Sequence, residues 1–214
     1  MPKSIIEVKG LSKRYREKNN LALNFIDLSI PEGSIFGLLG PNGAGKSTFI
    51  NILSGLTNKT SGVVNVGGIN IDEDAKTVRG NMGVVPQEIN IDPFFTPRQI
   101  MEIQAGLYGV RKKFSKNEEI LCELGLSEKQ DAYSRSLSGG MKRRLMVAKA
   151  MVHSPAILIL DEPTAGVDVE LRQSLWEKIK TLNSKGVTII LTTHYLKEAE
   201  ILCDEIAVIN NGNV

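Results

Sequence analysis

Gly40, Pro41, Asn42, Gly43, Ala44, Gly45, Lys46, Ser47 and Thr48 follow the run Ser34 to Leu39 and lead into Phe49-Ile50-Asn51-Ile52-Leu53. A glycine, four residues and then Gly-Lys-Ser, set between a predicted strand and a predicted helix, is the pattern of a phosphate-binding loop. Gly40, Gly43 and Gly45 let the backbone curl without Cβ clashes, so successive N–H groups converge on one anion. A helix starting near Lys46 adds the positive end of its dipole. In such a loop Lys46 reaches the β- and γ-phosphates and the Ser47 hydroxyl ligates Mg²⁺. A bare strand-to-helix turn would need glycines but not lysine and serine in this order.

Further chemistry sits at the ends of other predicted strands. Ala156 to Leu160 is apolar throughout, as expected of a parallel strand covered on both faces, and it delivers Asp161 and Glu162 at its carboxyl end. Open α/β sheets place ligands there, beside the phosphate loop. Asp161 is the expected Mg²⁺ partner, through water, and Glu162 the candidate base that polarises the attacking water. His194 ends the strand Val187 to Thr193 on the same side, where a histidine is either structural or a γ-phosphate contact. Gln87, just past the strand Met82 to Val85, could reach a bound metal or water, or simply be solvated. Ser138-Gly139-Gly140 opens a helix running to about Val152, either as a second anion nest or as an ordinary N-cap. Tyr15, at the base of a hairpin, could stack on adenine or pack on the sheet. His153, in a helix-ending His-Ser-Pro, is read as structural.

The elements that must position these residues follow from pattern and composition. At 214 residues and 42% hydrophobic content the chain can bury one large core. A net charge of +2 does not argue for nucleic acid, and Arg111-Lys112-Lys113 and Lys142-Arg143-Arg144 read as solvated helix faces. Cys122 and Cys203 suggest neither a disulfide framework nor a zinc site. No export signal is visible, and the apolar runs are too short to cross a bilayer, so a membrane role requires a partner chain. Ser4 to Val8 and Asn24 to Ile30 read as strands, and a short β region ends at Ile71. Short helices fill the stretch from Ile89 to Leu137. Thr96-Pro97-Arg98-Gln99 caps one, with Ile100, Ile103 and Leu107 on a face, and Ser115 with Glu118 predicts a second capping box. A helix with Leu171, Leu175, Ile179 and Leu182 on one stripe closes at Gly186. Tyr195 to Cys203 is a short helix, Glu205 to Ile209 a strand, and Asn211-Gly212 a hairpin turn whose returning strand has only Asn213 and Val214, so a truncated chain is expected.

Tyr15, the Gly40 to Thr48 loop, Gln87, Leu137-Ser138-Gly139-Gly140-Met141, the run into Asp161-Glu162, Ala165 to Asp168, and His194 together resemble the ATP-binding subunit of ABC transporters, from Ile5 to Val214 and in the family's order. Leu137 to Trp176 is most similar to the ATPases of bacterial type-2 exporters. The resemblance implies an α/β P-loop NTPase core with a mainly parallel sheet, an N-terminal antiparallel β region and an inserted α-helical subdomain. That makes a single domain, with residues 1–88 and 138–214 as core and 89–137 as the helical part. It further implies ATP and Mg²⁺ as ligands, and a head-to-tail pair in which Ser138, Gly139 and Gly140 of one subunit face the phosphate loop of the other. Tyr15 would stack adenine, Gln87 sense metal and water, Asp168 lie at the seam and His194 contact the γ-phosphate. The second ATP-binding subunit, a separate membrane permease and a place at the cytoplasmic face of the membrane are the expected partners and location, with no nucleic acid. Phe94 and Phe95 would either receive a permease helix or form the insertion's own core. Met141 stands where the common signature has glutamine, and Ala165 where serine is frequent, so two side-chain contacts are missing. The rival readings are a soluble ABC protein acting on ribosomes or DNA, a nucleotide-gated binding module and a small-molecule kinase. One cassette without sustained heptads, Glu162 with His194, and the Ser-Gly-Gly helix start with its insertion speak against them in turn.

Overall fold

In the computed structural model the described residues are 3–16, 20–165 and 169–214, and of 169–171 only the backbone is described. In chain order the elements are β1 (Ser4–Arg14), β2 (Leu21–Pro31), β3 (Ile35–Leu39), α1 (Lys46–Leu53), β4 (Ser61–Val66), β5 (Ile69–Asn70), α2 (Ala75–Gly80), β6 (Met82–Val85), α3 (Pro97–Leu107), α4 (Asn117–Glu123), α5 (Gly139–Met151), β7 (Ile157–Asp161), α6 (Val169–Ser184), β8 (Thr188–Thr193), α7 (Leu196–Leu202) and β9 (Glu205–Val208). They build two sheets. One is antiparallel, in the order β2-β1-β4-β5, and the other is parallel, in the order β6-β7-β8-β3-β9.

β1 is longer than its alternating segment predicts. The alternation of buried Ile6 and Val8 with exposed Glu7 and Lys9 breaks at Gly10, and the register with β2 shifts between Val8 and Leu11. Gly10 takes a φ of +58°, a bulge that resets the phase so that Leu11 is buried again. A bulge looks like a strand end when only periodicity is read.

The parallel sheet separates two cores. Along β7, Ile157 and Ile159 face the side that carries α1 and the antiparallel sheet, while Leu158 and Leu160 face the helices α5 and α6. β8 alternates in the same way, with Ile190 on the first side and Ile189 and Leu191 on the second. This two-faced burial explains the apolar run of β7 from Ile157 to Leu160 and the Ile189-Ile190-Leu191 centre of β8. The second core is continuous with the helices between β6 and α5, through Met101, Leu121, Leu124 and Leu126.

Within that helical stretch two expectations are corrected. The Thr96 capping box forms, with Gln99 N–H donating to Thr96 Oγ1 at 3.3 Å and Thr96 N–H donating to Gln99 Oε1 at 2.9 Å. The Ser115–Glu118 box does not. Arg98 takes the Glu118 carboxylate at 2.6 Å while also holding Asp131 at 2.8 Å, and α4 starts without a side-chain cap. The face of α3 is rotated from the expected one. Ile100, Met101 and Ala105 are buried, whereas Ile103 and Leu107 are 48% and 77% exposed. Small Ala105 belongs to the buried face, which a count of large apolar side chains overlooks. On α6 the stripe holds for Leu175, Ile179 and Leu182, and the Leu171 side chain lies outside the described residues. Both cysteines are free thiols, and burial pushes Cys203 up to about 12.

His153 is structural, as read. Its ring stacks on Tyr108 with centroids 3.8 Å apart, Nε2 lies 3.1 Å from Met82 O, and Nδ1 is buried without a partner. That pattern fits the neutral ring with its proton on Nε2, donating to the carbonyl. Burial lowers the His153 pKa, partly offset by the bond to Met82. The unfolded chain therefore binds this proton more readily than the folded one. The stability gained from keeping the ring neutral is complete above about pH 6.5 and is lost as the pH falls toward the folded value. Urea unfolding at about pH 7.5 and about pH 5.5 is expected to show a smaller pH-dependent loss for His153→Leu than for the parent chain.

Candidate functional site

Four neighbouring parallel strands end at one level. Val85 pairs with Leu160, Asp161 with Thr192, and Leu39 with Thr193, so residues just past β6, β7, β8 and β3 emerge side by side. Gln87, Asp161-Glu162, His194 and the loop after Leu39 are those residues.

The loop after β3 has the backbone that its glycines predict. Gly43 and Gly45 have φ of +79° and +118°, and a Cβ on Gly45 would lie 2.7 Å from Ala22 O. α1 begins at Lys46 immediately after Gly45. A Cβ on Gly40 would lie 2.1 Å from Ile209 O, so the loop is seated against the chain after β9. The Asn211-Gly212 turn, with φ of +49° and +75°, closes on that support, and Gly212 N–H donates to Ala44 O at 2.9 Å.

The cleft over the loop has a volume of about 300 Å³ and is lined by Tyr15, Asn42, Gly43, Lys46, Ser47 and Gln87, among others. A lysine, a helix start and curled backbone N–H groups fit a polyphosphate, because all present positive charge or donors to one place. Lys46 is 4% exposed and donates to Gly40 O at 2.7 Å and Pro41 O at 3.1 Å. Those weak acceptors are what an anionic phosphate would outbid. Ser47 and Asp161 bring oxygen donors, the chemistry that suits Mg²⁺. Among the described residues no cluster of three or more His, Cys, Asp or Glu could hold a metal by itself. Tyr15 is half-buried, its hydroxyl 3.5 Å from Thr48 Oγ1 and Lys13 Nζ 4.9 Å from its ring centre.

Glu162 is the point of convergence. Its Oε1 lies 3.6 Å from Lys46 Nζ, and its Oε2 accepts from Gln87 Nε2 at 3.2 Å and lies 3.4 Å from His194 Nδ1. The carboxylate is 8% exposed, and a charge so placed is tolerated only when paired and hydrogen-bonded. Glu162 also takes a left-handed φ of +46°, a conformation that costs a non-glycine residue about 1–2 kcal/mol. Asp161 sits beside it, its Oδ1 accepting from Thr192 Oγ1 at 2.5 Å.

Some candidates stand apart. Ser138 caps α5 by accepting from Met141 N–H at 3.2 Å, and Ser138 and Gly139 are exposed and absent from the lining of the loop cleft. His194 meets Glu162 and also lines a second hollow with Gly40, Pro41 and Asn42. Phe94 is 69% exposed and Phe95 39%, so neither forms the core of the helical stretch. Asp168 lies outside the described residues, as does the rest of the expected seam after Ala165.

Three contributors escaped the reading of the sequence. Arg143, expected on a solvated face, is 4% exposed; its guanidinium donates to Pro86 O at 2.9 Å and Gln87 O at 2.7 Å. Burial lowers its pKa, with the Asp161 charge acting the other way. The turn at Gln87 is thus anchored by a charge that a run of Lys-Arg-Arg disguises. Thr192 and Glu198 are the other two, both buried. Glu198 could have been marked as a charged residue beside Ala199 and Leu202 on the buried face of α7, but Thr192 is one of three buried threonines of β8 and carries no such mark.

Comparison with known proteins gives consistent matches. A family model described as "ABC transporter" matches residues 23–165. The chain is 43% identical over 210 residues to the Nod factor export ATP-binding protein I of Ralstonia nicotianae, covering 97% of this chain and 65% of that protein. It is 39% identical to the linearmycin resistance ATP-binding protein LnrL of Bacillus subtilis, covering 98% and 68%. A dimeric ATP-binding cassette solved in a post-hydrolysis state with ADP and Pi superposes with a TM-score of 0.83 at 28% identity, over 98% of this chain and 96% of that one.

Removing the Arg143 guanidinium breaks two hydrogen bonds that a buried charge makes to the Pro86 and Gln87 carbonyls. Arg143→Met is expected to cost about 1.5–3 kcal/mol in urea unfolding, whereas Lys142→Met on the same helix should change stability by less than about 0.5 kcal/mol.

Proposed function

The chain belongs to the ABC transporter family as an ATP-binding, ATP-hydrolysing cassette, and on that premise we propose that it powers export through a separate membrane permease. The observation that carries the catalytic part is the convergence of Lys46, Gln87 and His194 on the buried Glu162 carboxylate at 3.2–3.6 Å. In this reading Lys46 leaves the Gly40 and Pro41 carbonyls and Glu162 for the β- and γ-phosphates. Its departure removes the counter-charge from Glu162, whose carboxylate then accepts the proton of the attacking water. Gln87 orients that water, and His194 contacts the γ-phosphate. Ser47 and Asp161 would hold Mg²⁺, whose charge would be available to neutralise the phosphates. Tyr15 stacks on adenine with the ring face not covered by Lys13.

Ser138 and Gly139, both exposed, and the adjoining Gly140 act on a second copy. Their absence from the cleft lining of their own chain supports a head-to-tail dimer in which each nucleotide is held between two subunits. Asp168 belongs to that seam by family likeness. ATP binding closes the pair and hydrolysis releases it, a ligand-shifted two-state cycle. Residues 89–137 form a helical subdomain, beside the remainder as core, and Phe94 and Phe95, exposed just past Gln87, receive a cytoplasmic helix of the permease. Among the described residues no helix is long and apolar enough to cross a membrane, which agrees with a peripheral cassette held at the cytoplasmic face by its permease. Export as the direction follows the two relatives, one named for export and one for resistance.

Glu162→Gln should bind ATP as the parent does while turnover falls by about 10²–10⁴-fold, leaving a stable dimer in size-exclusion chromatography with ATP. Parent-like hydrolysis would assign the base elsewhere. The specific rate of Mg-ATP hydrolysis should also climb with protein concentration before levelling off. A constant rate in a demonstrably monomeric range would remove Ser138 to Gly140 from the site.

A further inference from the structure

We propose that Thr192 and Glu198 are positioning residues for Glu162, holding the turn that carries it from both ends. The inference rests on the reading of Glu162 as the base. A residue kept at a φ of +46° without being glycine stays there only when its surroundings over-determine it. The turn itself is closed by Ala165 N–H donating to Glu162 O at 3.1 Å.

At its start, Glu162 N–H donates to Thr192 Oγ1 at 2.9 Å, and the Thr192 hydroxyl proton goes to Asp161 Oδ1 at 2.5 Å. A hydroxyl has one proton and two lone pairs, so both bonds are satisfied at once in one sense only. Thr192 is fully buried, and its hydroxyl is committed to these two bonds. At the turn's far end, the Thr164 hydroxyl, 1% exposed, donates to Glu198 Oε1 at 2.7 Å. Trp176 Nε1 donates to the same oxygen at 3.0 Å, tying in α6. Glu198 is 3% exposed, a carboxylate withdrawn from water and committed to these donors.

Thr192 and Glu198 flank His194 in the chain, two residues before it and four after. The segment 192–198 therefore sets both the Glu162 backbone and the histidine whose Nδ1 lies 3.4 Å from its carboxylate. Base and histidine are placed together by one stretch of chain.

The test uses the purified chain at a concentration where its specific rate has levelled off. Thr192→Val and Thr164→Val are expected to lower kcat by about 10- to 100-fold, with affinity for a fluorescent ATP analogue within about twofold of the parent. Thr192→Ser and Glu198→Gln, which keep an acceptor in place, should retain most of the rate. Without nucleotide, amide hydrogen exchange in the peptide spanning 158–165 should quicken by about tenfold in the valine variants. A general loss of stability would lower the melting temperature without this local exchange or the split between kcat and binding. Should a valine variant not fold, alanine at the same position gives the same readouts. Exchange and kcat both within about twofold of the parent would overturn the proposal. Because exchange is read without turnover, a failure of Glu162 as base would leave this part of the result standing.

Discussion

A carboxylate withdrawn from water must be compensated, and the placement of Glu162 is the constraint to which the site answers. At 8% exposure it has Lys46, Gln87 and His194 around it, each delivered by a different strand of the parallel sheet. That is possible only because β6, β7, β8 and β3 are adjacent and end together. The strand order in turn depends on two cores that grip alternate side chains of the same strands. A one-residue slip would exchange those faces and scatter the site. Packing and chemistry are thus one specification.

The phosphate loop depends on backbone crowding rather than on side-chain attraction. Gly40 is pressed against Ile209 O and Gly45 against Ala22 O, so the loop is wedged between the segment after β9 and the start of β2. Lys46 is held in that wedge by the loop's own carbonyls and by Glu162. A charge kept in place by partners of modest strength is ready to be transferred to stronger ones.

Much of this was legible in the residues. The Gly40 to Thr48 spacing, the apolar run into Asp161 and the Thr96 box each state a local rule that no tertiary contact opposes. β7, buried on both faces, declares itself by its apolar run from Ile157 to Leu160. What stayed hidden was decided by distant partners. Glu118 would cap α4 were Arg98 not nearer, and Arg143 reads as solvent-facing until the Pro86 and Gln87 carbonyls are placed above it. The bulge at Gly10 is a matter of backbone geometry that hydrophobic periodicity does not encode. Thr192 is one of three threonines in β8 and Glu198 one of several acidic residues near α7, and nothing in the pattern tells the positioning residue from its neighbours.

The helices between β6 and α5 contribute Met101, Leu121, Leu124 and Leu126 to the inner core while Phe94, Ile103 and Leu107 remain outside. This division separates two kinds of evolutionary change. The outward residues can vary at little cost to folding, and the inward ones are bound to the strands that carry the site. A lineage can thus acquire new surface chemistry on this stretch by substitution, one residue at a time, without passing through an unfolded ancestor. Exchange of the whole stretch between distant relatives faces a steeper path, since each graft would bring half of a core shaped for other strands.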